Sequence, residues 1–381
     1  MPELVALDLP PGQGFVDALR CAWDEGNAVL PLDHRLARPV VERLVRVLAP
    51  GVVVDADGIH RRAGGLPTGP DDALVVATSG TTGSPKGVVL THDAVRASAV
   101  ATSARLAVDP GRDRWLACLP LAHIGGLSVV TRSLVTGTPC TVLGRFDAAE
   151  VERQARLGAT LVSLVATALR RTDVAAYRAV LLGGAAPPDV LPPNVVTTYG
   201  MTETGSGIVY DGRPLDGAEV RIGADAEGAA VPAGTTGEVL VRGPMLLRAY
   251  RDGTDPRLVG GWYPTGDGGR LEADGTLTVF GRIAEVIVTG GEKVWPVPVE
   301  QLLAGHPGVG EVAVWKRPDA EWGERVVAWV VPADEGMPPT LDGLRAVVAD
   351  QLAPWAAPQE LVLVAALPRT PSGKVRRAGL S

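Results

Sequence analysis

Residues 78–87 read TSGTTGSPKG. They set Thr78, Ser79, Thr81, Thr82 and Ser84 among Gly80, Gly83 and Gly87, with one cation, Lys86. Glycine lets the backbone fold close around an anion and aim N–H groups at it. The hydroxyls add donors, and the ammonium adds a charge-assisted contact. The chemistry that suits such a loop is the grip of phosphate groups. The order differs from the Walker pattern, in which Gly-Lys is followed by Ser or Thr, because Pro85 precedes Lys86 here. The bland alternative is a structural polar turn, which the density of hydroxyls and glycines disfavours. Only Lys86, Lys293, Lys316 and Lys374 supply lysine among 36 basic residues. A lysine in this loop therefore points to a need for a compact point charge rather than a guanidinium fork.

Four further segments carry residues of the right type. TYGMTETG (198–205) holds Glu203, and a carboxylate beside a phosphate site needs a divalent cation between the like charges. GGAAP (183–187) offers Gly183, Gly184 and Ala185, small enough for backbone to lie against a planar ring. YPTGD (263–267) ends in Asp267, whose two acceptor oxygens suit a diol. PRTPSGKVRR (368–377) carries Lys374. A solvated turn, a strand-to-helix turn, a hairpin turn and a basic tail are the respective alternatives. Each is reasonable alone and weaker when all four segments follow the glycine-rich loop in one chain. Arg132 lies in LPLAHIGGLSVVTRSLVTGT (119–138), on a helix whose Ile124, Leu127, Val130, Leu134 and Val135 are apolar. It either snorkels to solvent or meets a carboxylate as a bidentate partner.

The elements that position these residues follow from pattern. Phe15, Leu19 and Trp23 stand at helical spacing. Between residues 73 and 199, short apolar runs at 74–77, 115–119, 141–143, 161–165 and 179–182 alternate with helical stretches such as 92–106 and 148–157. That alternation predicts an α/β sheet. It places the glycine-rich loop between a strand and a helix. After Gly200 the pattern becomes short strands with Gly and Pro turns (219–222, 237–242, 276–280), a β-rich subdomain. From about 283 the chain reads as a small α+β domain. Its strands lie at 286–289, 309–315 and 326–331, with a helix at 297–303 and another whose face is Leu341, Leu344, Val348 and Leu352.

The 381 residues suit one large domain plus a smaller one, and 46% hydrophobic with 21% charged residues argues against disorder. A net charge of −7 with no basic stripe argues against a nucleic-acid partner. Cys21, Cys118 and Cys140 fit neither a zinc site nor a disulfide framework. With no signal-like start and no membrane-length apolar run, the expectation is a cytoplasmic protein without a membrane partner. The oligomeric state stays open, a homo-oligomer included.

TSGTTGSPKG resembles the signature loop of the adenylate-forming superfamily of acyl-CoA synthetases, peptide-synthetase adenylation domains and luciferases. The likeness continues in order nearly to the C-terminus. It implies ATP and Mg²⁺ as cofactors, CoA as co-substrate and a small carboxylic acid as substrate. It implies an ATP- and acid-binding domain at 1–282 and a mobile lid domain at 283–381. By this resemblance Thr78, Ser79, Gly80, Thr81, Thr82, Gly83 and Lys86 hold phosphates, and Gly183, Gly184 and Ala185 line the adenine side. Tyr199 stacks on adenine within the segment that includes Gly200, Thr202 contacts phosphate and Glu203 holds Mg²⁺. Asp267 and Arg282 bind the ribose, His123 gates the acyl pocket and Lys374 is the catalytic lysine. GRIAE (281–285) is similar to the family's hinge but has Ala284 and Glu285 where relatives carry Asp or Lys at the pivot. Segments 119–138, 161–171 and 209–222 look most like the o-succinylbenzoate–CoA ligases of menaquinone synthesis, in their short form. The implied substrate is then a dicarboxylate, with Ser128, Thr131 and Arg132 as contacts for the carboxylate that does not react. Another aryl- or acyl-CoA ligase, a stand-alone amino-acid adenylating enzyme and a non-catalytic nucleotide-binding regulator remain as alternatives.

Overall fold

The computed structural model describes residues 1–79, 85–188, 190–224, 227–369 and 375–380. The chain divides into two compact units, Met1–Val220 with Val241–Tyr263, and Arg221–Leu240 with Pro264–Ser381. Residues 221–240 and 264–282 thus cluster with the last hundred residues, a different partition from the 282/283 division suggested by sequence.

Among the described residues the first unit is built on two seven-stranded sheets. The first runs Ala249–Tyr250, Pro85–Thr91, Asp72–Ser79, Ala28–Pro31, Leu4–Leu7, Val52–Asp55 and Gly58–Arg61 in spatial order. Its centre is parallel, and Asp72–Ser79 pairs antiparallel with Pro85–Thr91. Leu4, Ala6, Leu30, Leu48, Val75 and Val89 form its core. The second sheet runs Arg213–Pro214, Ser206–Tyr210, Val195–Met201, Ala179–Leu182, Leu161–Leu164, Trp115–Ala117 and Cys140–Val142. Leu161–Leu164 and Ala179–Leu182 are buried at every position, as strands covered on both faces must be.

Helix His92–Arg105 starts at Thr91, whose hydroxyl accepts from the Ala94 N–H at 3.1 Å. Helix Ile124–Thr136 ends at Gly137, which takes the left-handed conformation at φ 71°.

The second unit carries a four-stranded sheet of Glu219–Gly223, Thr236–Arg242, Tyr263–Leu271 and Leu277–Arg282. Its other sheet has five strands, with Val309–Asp319 and Gly323–Pro332 as the long central hairpin. Helices Pro296–Ala304 and Leu341–Gln351 cover it through Val299, Leu303, Leu344 and Val348, which share a core with Ile287, Val314 and Val326. The α/β and α+β textures expected from the pattern are both present. No helix among the described residues is long and apolar enough to cross a membrane.

Candidate active site

The glycine-rich loop does not lead straight into a helix. Strand Pro85–Thr91 intervenes, and helix His92–Arg105 follows it. The reason lies in residues 88–90: Val88, Val89 and Leu90 are fully buried in the sheet, where β-branched side chains pack well. Lys86 therefore sits on a strand, with Thr78 as its cross-strand neighbour. Gly80, Thr81, Thr82 and Gly83, together with Ser84, lie outside the described residues, and Ser79 is placed only as the last residue of its strand. What the structure establishes is the antiparallel pairing of Asp72–Ser79 with Pro85–Thr91, with Lys86 near the start of the second strand.

Segment 198–205 leaves the second sheet at Met201 and makes one 3₁₀ turn, Thr202–Thr204. Thr204 is fully buried and accepts the Met201 N–H at 2.9 Å, which closes the turn. Gly200 is required sterically: a Cβ there would stand 2.1 Å from the Ser206 carbonyl oxygen. At Gly183 a Cβ would stand 2.5 Å from the Thr198 hydroxyl, so the 183–185 turn and the 198–205 segment lie side by side. Tyr199, Thr202 and Glu203 are half-buried, while Gly184 and Ala185 are exposed.

Sequence reasoning missed Tyr250. Its hydroxyl donates to Glu203 Oε1 at 3.1 Å, and the Lys86 Nζ lies 4.8 Å from its ring centroid. The signal was faint, an Ala-Tyr pair after a proline-marked turn. Among the described residues no group of three or more His, Cys, Asp or Glu stands together as a metal cage. One carboxylate suits Mg²⁺, which completes its shell with water and substrate phosphate oxygens rather than a protein cage.

In the second unit Asp267 and Arg282 face each other across the strand pair and form an ion pair at 3.0 Å. Asp267 is 6% exposed. Arg282 also donates to the Thr265 carbonyl at 2.9 Å, and the Thr265 hydroxyl holds the Asp267 N–H at 3.1 Å. The carboxylate is thereby fixed, a precondition for reading a diol. Lys374 lies outside the described residues. Arg369 and Val375 form an isolated antiparallel bridge.

The helix Ile124–Thr136 bears the remaining candidates. His123 stands just before it, about half exposed, with Nε2 3.8 Å from Asp33 Oδ2. Arg35 grips the same Asp33 at 2.8 and 2.6 Å, and these bonds hold the carboxyl below its ordinary range. Ser128, Thr131 and Arg132 line one cavity together with Ser98, Ile124 and Gly205. The Ser128 hydroxyl takes a hydrogen bond from Ser206 at 3.2 Å, which ties the helix to the 198–205 segment.

Arg132 does not snorkel. It is 1% exposed, because the helix packs its own sheet on one side and helix His92–Arg105 on the other. Its guanidinium lies 4.7 Å from the Trp115 ring centroid, while Nε and Nη1 have no hydrogen-bond partner among the described residues. Burial pulls its pKa below the ordinary arginine value.

Two family models match the chain: that of the AMP-binding enzymes over residues 28–251, and that of the AMP-binding enzyme C-terminal domain over 298–374. A probable 2-succinylbenzoate–CoA ligase of Mycobacterium tuberculosis (strain ATCC 25618 / H37Rv) is 41% identical over 374 residues, covering 91% of this chain and 94% of that protein. Among solved structures, the o-succinylbenzoate CoA synthetase of Bacillus subtilis in complex with the acyl-adenylate intermediate OSB-AMP aligns with a TM-score of 0.86 at 28% identity, covering 99% of this chain and 88% of that one. The same enzyme in complex with ATP and magnesium ion aligns at 0.85 and 27%, with 99% and 89% covered. With a likeness that spans nearly the whole chain and both family models in order, the chain belongs to the AMP-binding enzymes and, among them, to the 2-succinylbenzoate–CoA ligase family.

Proposed function

We propose that this chain joins o-succinylbenzoate to CoA in two half-reactions, within menaquinone synthesis and in the cytoplasm. In the first, a carboxylate oxygen of the acid attacks the α-phosphorus of ATP and pyrophosphate leaves. In the second, the CoA thiolate attacks the acyl carbon of the acyl-adenylate and AMP leaves. Converting the carboxylate to a mixed anhydride replaces a poor leaving group by a good one and splits one difficult step into two.

The residues divide this work. Lys86, Thr78, Ser79, Gly80, Thr81, Thr82 and Gly83 hold the β- and γ-phosphates that depart together. Glu203 holds Mg²⁺, which when bound neutralises phosphate charge. Gly183, Gly184, Ala185, Tyr199 and Gly200 receive the adenine, Thr202 a phosphate oxygen, and Asp267 with Arg282 the ribose. Lys374 offsets the charge that develops at the α-phosphate, a task of positioning and electrostatics rather than covalent chemistry. His123 borders the acyl pocket. We assign ATP and acid binding to residues 1–282 and the lysine-bearing domain to 283–381.

The observation that carries the choice of acid is Arg132. The Arg132 guanidinium is buried beside Ser128 and Thr131, with Nε and Nη1 unpartnered among the described residues, and such a group pairs strongly with a carboxylate. A dicarboxylate supplies one: its succinyl carboxylate reacts while its aromatic carboxylate meets Arg132. The test is formation of AMP and thioester from o-succinylbenzoate, ATP and CoA, beside a panel of monocarboxylic aryl and acyl acids and amino acids. Equal or faster turnover of a monocarboxylate would overturn the assignment of the acid. No AMP with any acid would overturn the enzymatic reading.

A further inference from the structure

Tyr250 touches two of the groups assigned above to the phosphates and the metal, and no motif named it. It occupies the short strand Ala249–Tyr250, paired antiparallel with the strand that carries Lys86, with Val88 opposite Tyr250. Both flanks are fixed. Arg248 binds the buried Asp72 at 2.8 and 2.9 Å, and Arg251 donates to the carbonyls of Leu48, Leu66 and Pro67.

From this anchored position the phenol donates to Glu203 Oε1 at 3.1 Å, and its oxygen lies 3.3 Å from the Tyr263 hydroxyl. The order Tyr263 to Tyr250 to Glu203 gives each hydroxyl one acceptor and ends on the carboxylate. Leu247, three residues earlier, donates its N–H to the Glu203 carbonyl at 2.8 Å, so one segment holds both backbone and side chain of Glu203. The face of the same ring lies under the Lys86 ammonium at 4.8 Å, within cation–π range.

We propose that Tyr250 is a positioning residue that sets the separation between the Lys86 ammonium and the Glu203 carboxylate, so that the site takes a metal–triphosphate as a unit. The inference rests on the reading of Lys86 as a phosphate ligand and Glu203 as the metal ligand. A hydrogen bond on the free oxygen edge of a carboxylate aims the other oxygen, and a ring under an ammonium limits its reach. Both restraints reduce the order that ligand binding must impose.

The experiment is calorimetric binding of Mg·ATP, of ATP in chelator and of AMP to the full chain, with Mg²⁺ titrations of turnover alongside. Tyr250→Phe keeps the ring and removes the bond to Glu203. It is expected to weaken Mg·ATP about tenfold, the loss of one hydrogen bond to a charged group, to raise the Mg²⁺ requirement, and to leave metal-free ATP and AMP within about twofold. Tyr250→Leu also removes the ring and is expected to weaken metal-free ATP as well, with AMP still unchanged. Equal affinity of Tyr250→Phe and wild type for Mg·ATP, or equal losses for Mg·ATP and AMP, would overturn the proposal. Glu203→Gln separates the two readings. If it abolishes the Mg²⁺ dependence of binding while Tyr250→Phe changes nothing, only the positioning role falls. If Glu203→Gln leaves that dependence intact, the metal assignment falls and the role of Tyr250 with it.

Discussion

Arg132→Met is expected to stabilise the unliganded protein while it removes the preference for a dicarboxylate. The wild-type guanidinium is 1% exposed, with Nε and Nη1 unpartnered among the described residues. Each such buried donor costs about 1–3 kcal/mol. The Trp115 ring at 4.7 Å returns about 1–2 kcal/mol. The balance is a net cost of about 0–5 kcal/mol, which methionine avoids because its unbranched, adaptable chain fills similar space without charge. At about 2–4 °C per kcal/mol for a domain of this size, the melting temperature rises by several degrees.

The functional change has the opposite sign. Two charge-assisted hydrogen bonds to the second carboxylate are worth about 3–6 kcal/mol together, so kcat/KM for o-succinylbenzoate falls at least about a hundredfold. The KM for ATP stays near wild type, and an analogue lacking the aromatic carboxylate loses little. The assays are thermal melts with and without the acid, and steady-state pyrophosphate release. A lower melting temperature with an unchanged KM for the acid would refute the reasoning and leave Arg132 as a packing element.

Lys374→Ala is expected to lose adenylation by orders of magnitude yet to form thioester from supplied acyl-adenylate. Equal loss of both half-reactions would remove its role. Gly200→Ala places a Cβ 2.1 Å from the Ser206 carbonyl, and backbone shift there should cost about 1–3 kcal/mol by denaturant titration, with weaker ATP binding. An unchanged midpoint would show that the strand pair yields freely. Asp33→Asn tests a pH dependence. Arg35 lowers the Asp33 pKa in the folded state, so the carboxylate contributes stability above its unfolded value of about 4 and loses it as pH falls through the folded value. Wild type should therefore exceed the variant by a constant margin from about pH 5 upward, shrinking in acid. A pH-independent margin would contradict the linkage.

The residues proposed to bind nucleotide were legible because they fall in short runs rich in Gly, Thr and Asp. Gly183 and Gly200 are glycines for steric reasons that leave a mark in composition, and Asp267 closes the compact YPTGD run on a strand, opposite its partner Arg282 on the next. Alternating strands and helices between 115 and 182 were legible because they are short, continuous apolar runs bounded by turn residues. The strands Leu4–Leu7 and Ala28–Pro31 and the helix Arg38–Leu48 were not drawn from pattern. Four-residue apolar runs carry no period of their own, and those strands are defined by partners far along the chain.

Distance also hid the role of Glu285. The sequence showed only that it departs from the expected pivot pattern. In the folded chain it receives Arg377 at 2.8 Å, and the same guanidinium binds Glu300 at 2.7 and 2.9 Å. A partner 92 residues away leaves no trace in local spacing.

The acid pocket was legible only in part, and the physical reason separates it from the nucleotide site. The proposed nucleotide site relies largely on backbone, so its candidate determinants appear as glycine and hydroxyl clusters. The proposed acid contacts are single side chains on one helix. Ser128, Thr131 and Arg132 look like minor polar interruptions of an apolar helix until burial shows that Arg132 has nowhere to place its charge. Their partners, Ser98 and Gly205, come from another helix and from the 198–205 segment. Side chains on such a face can be exchanged without moving the backbone proposed to hold the phosphates. On this reading the choice of acid can vary independently of the activation chemistry, and what points to Arg132 is a buried charge unpartnered among the described residues rather than a motif.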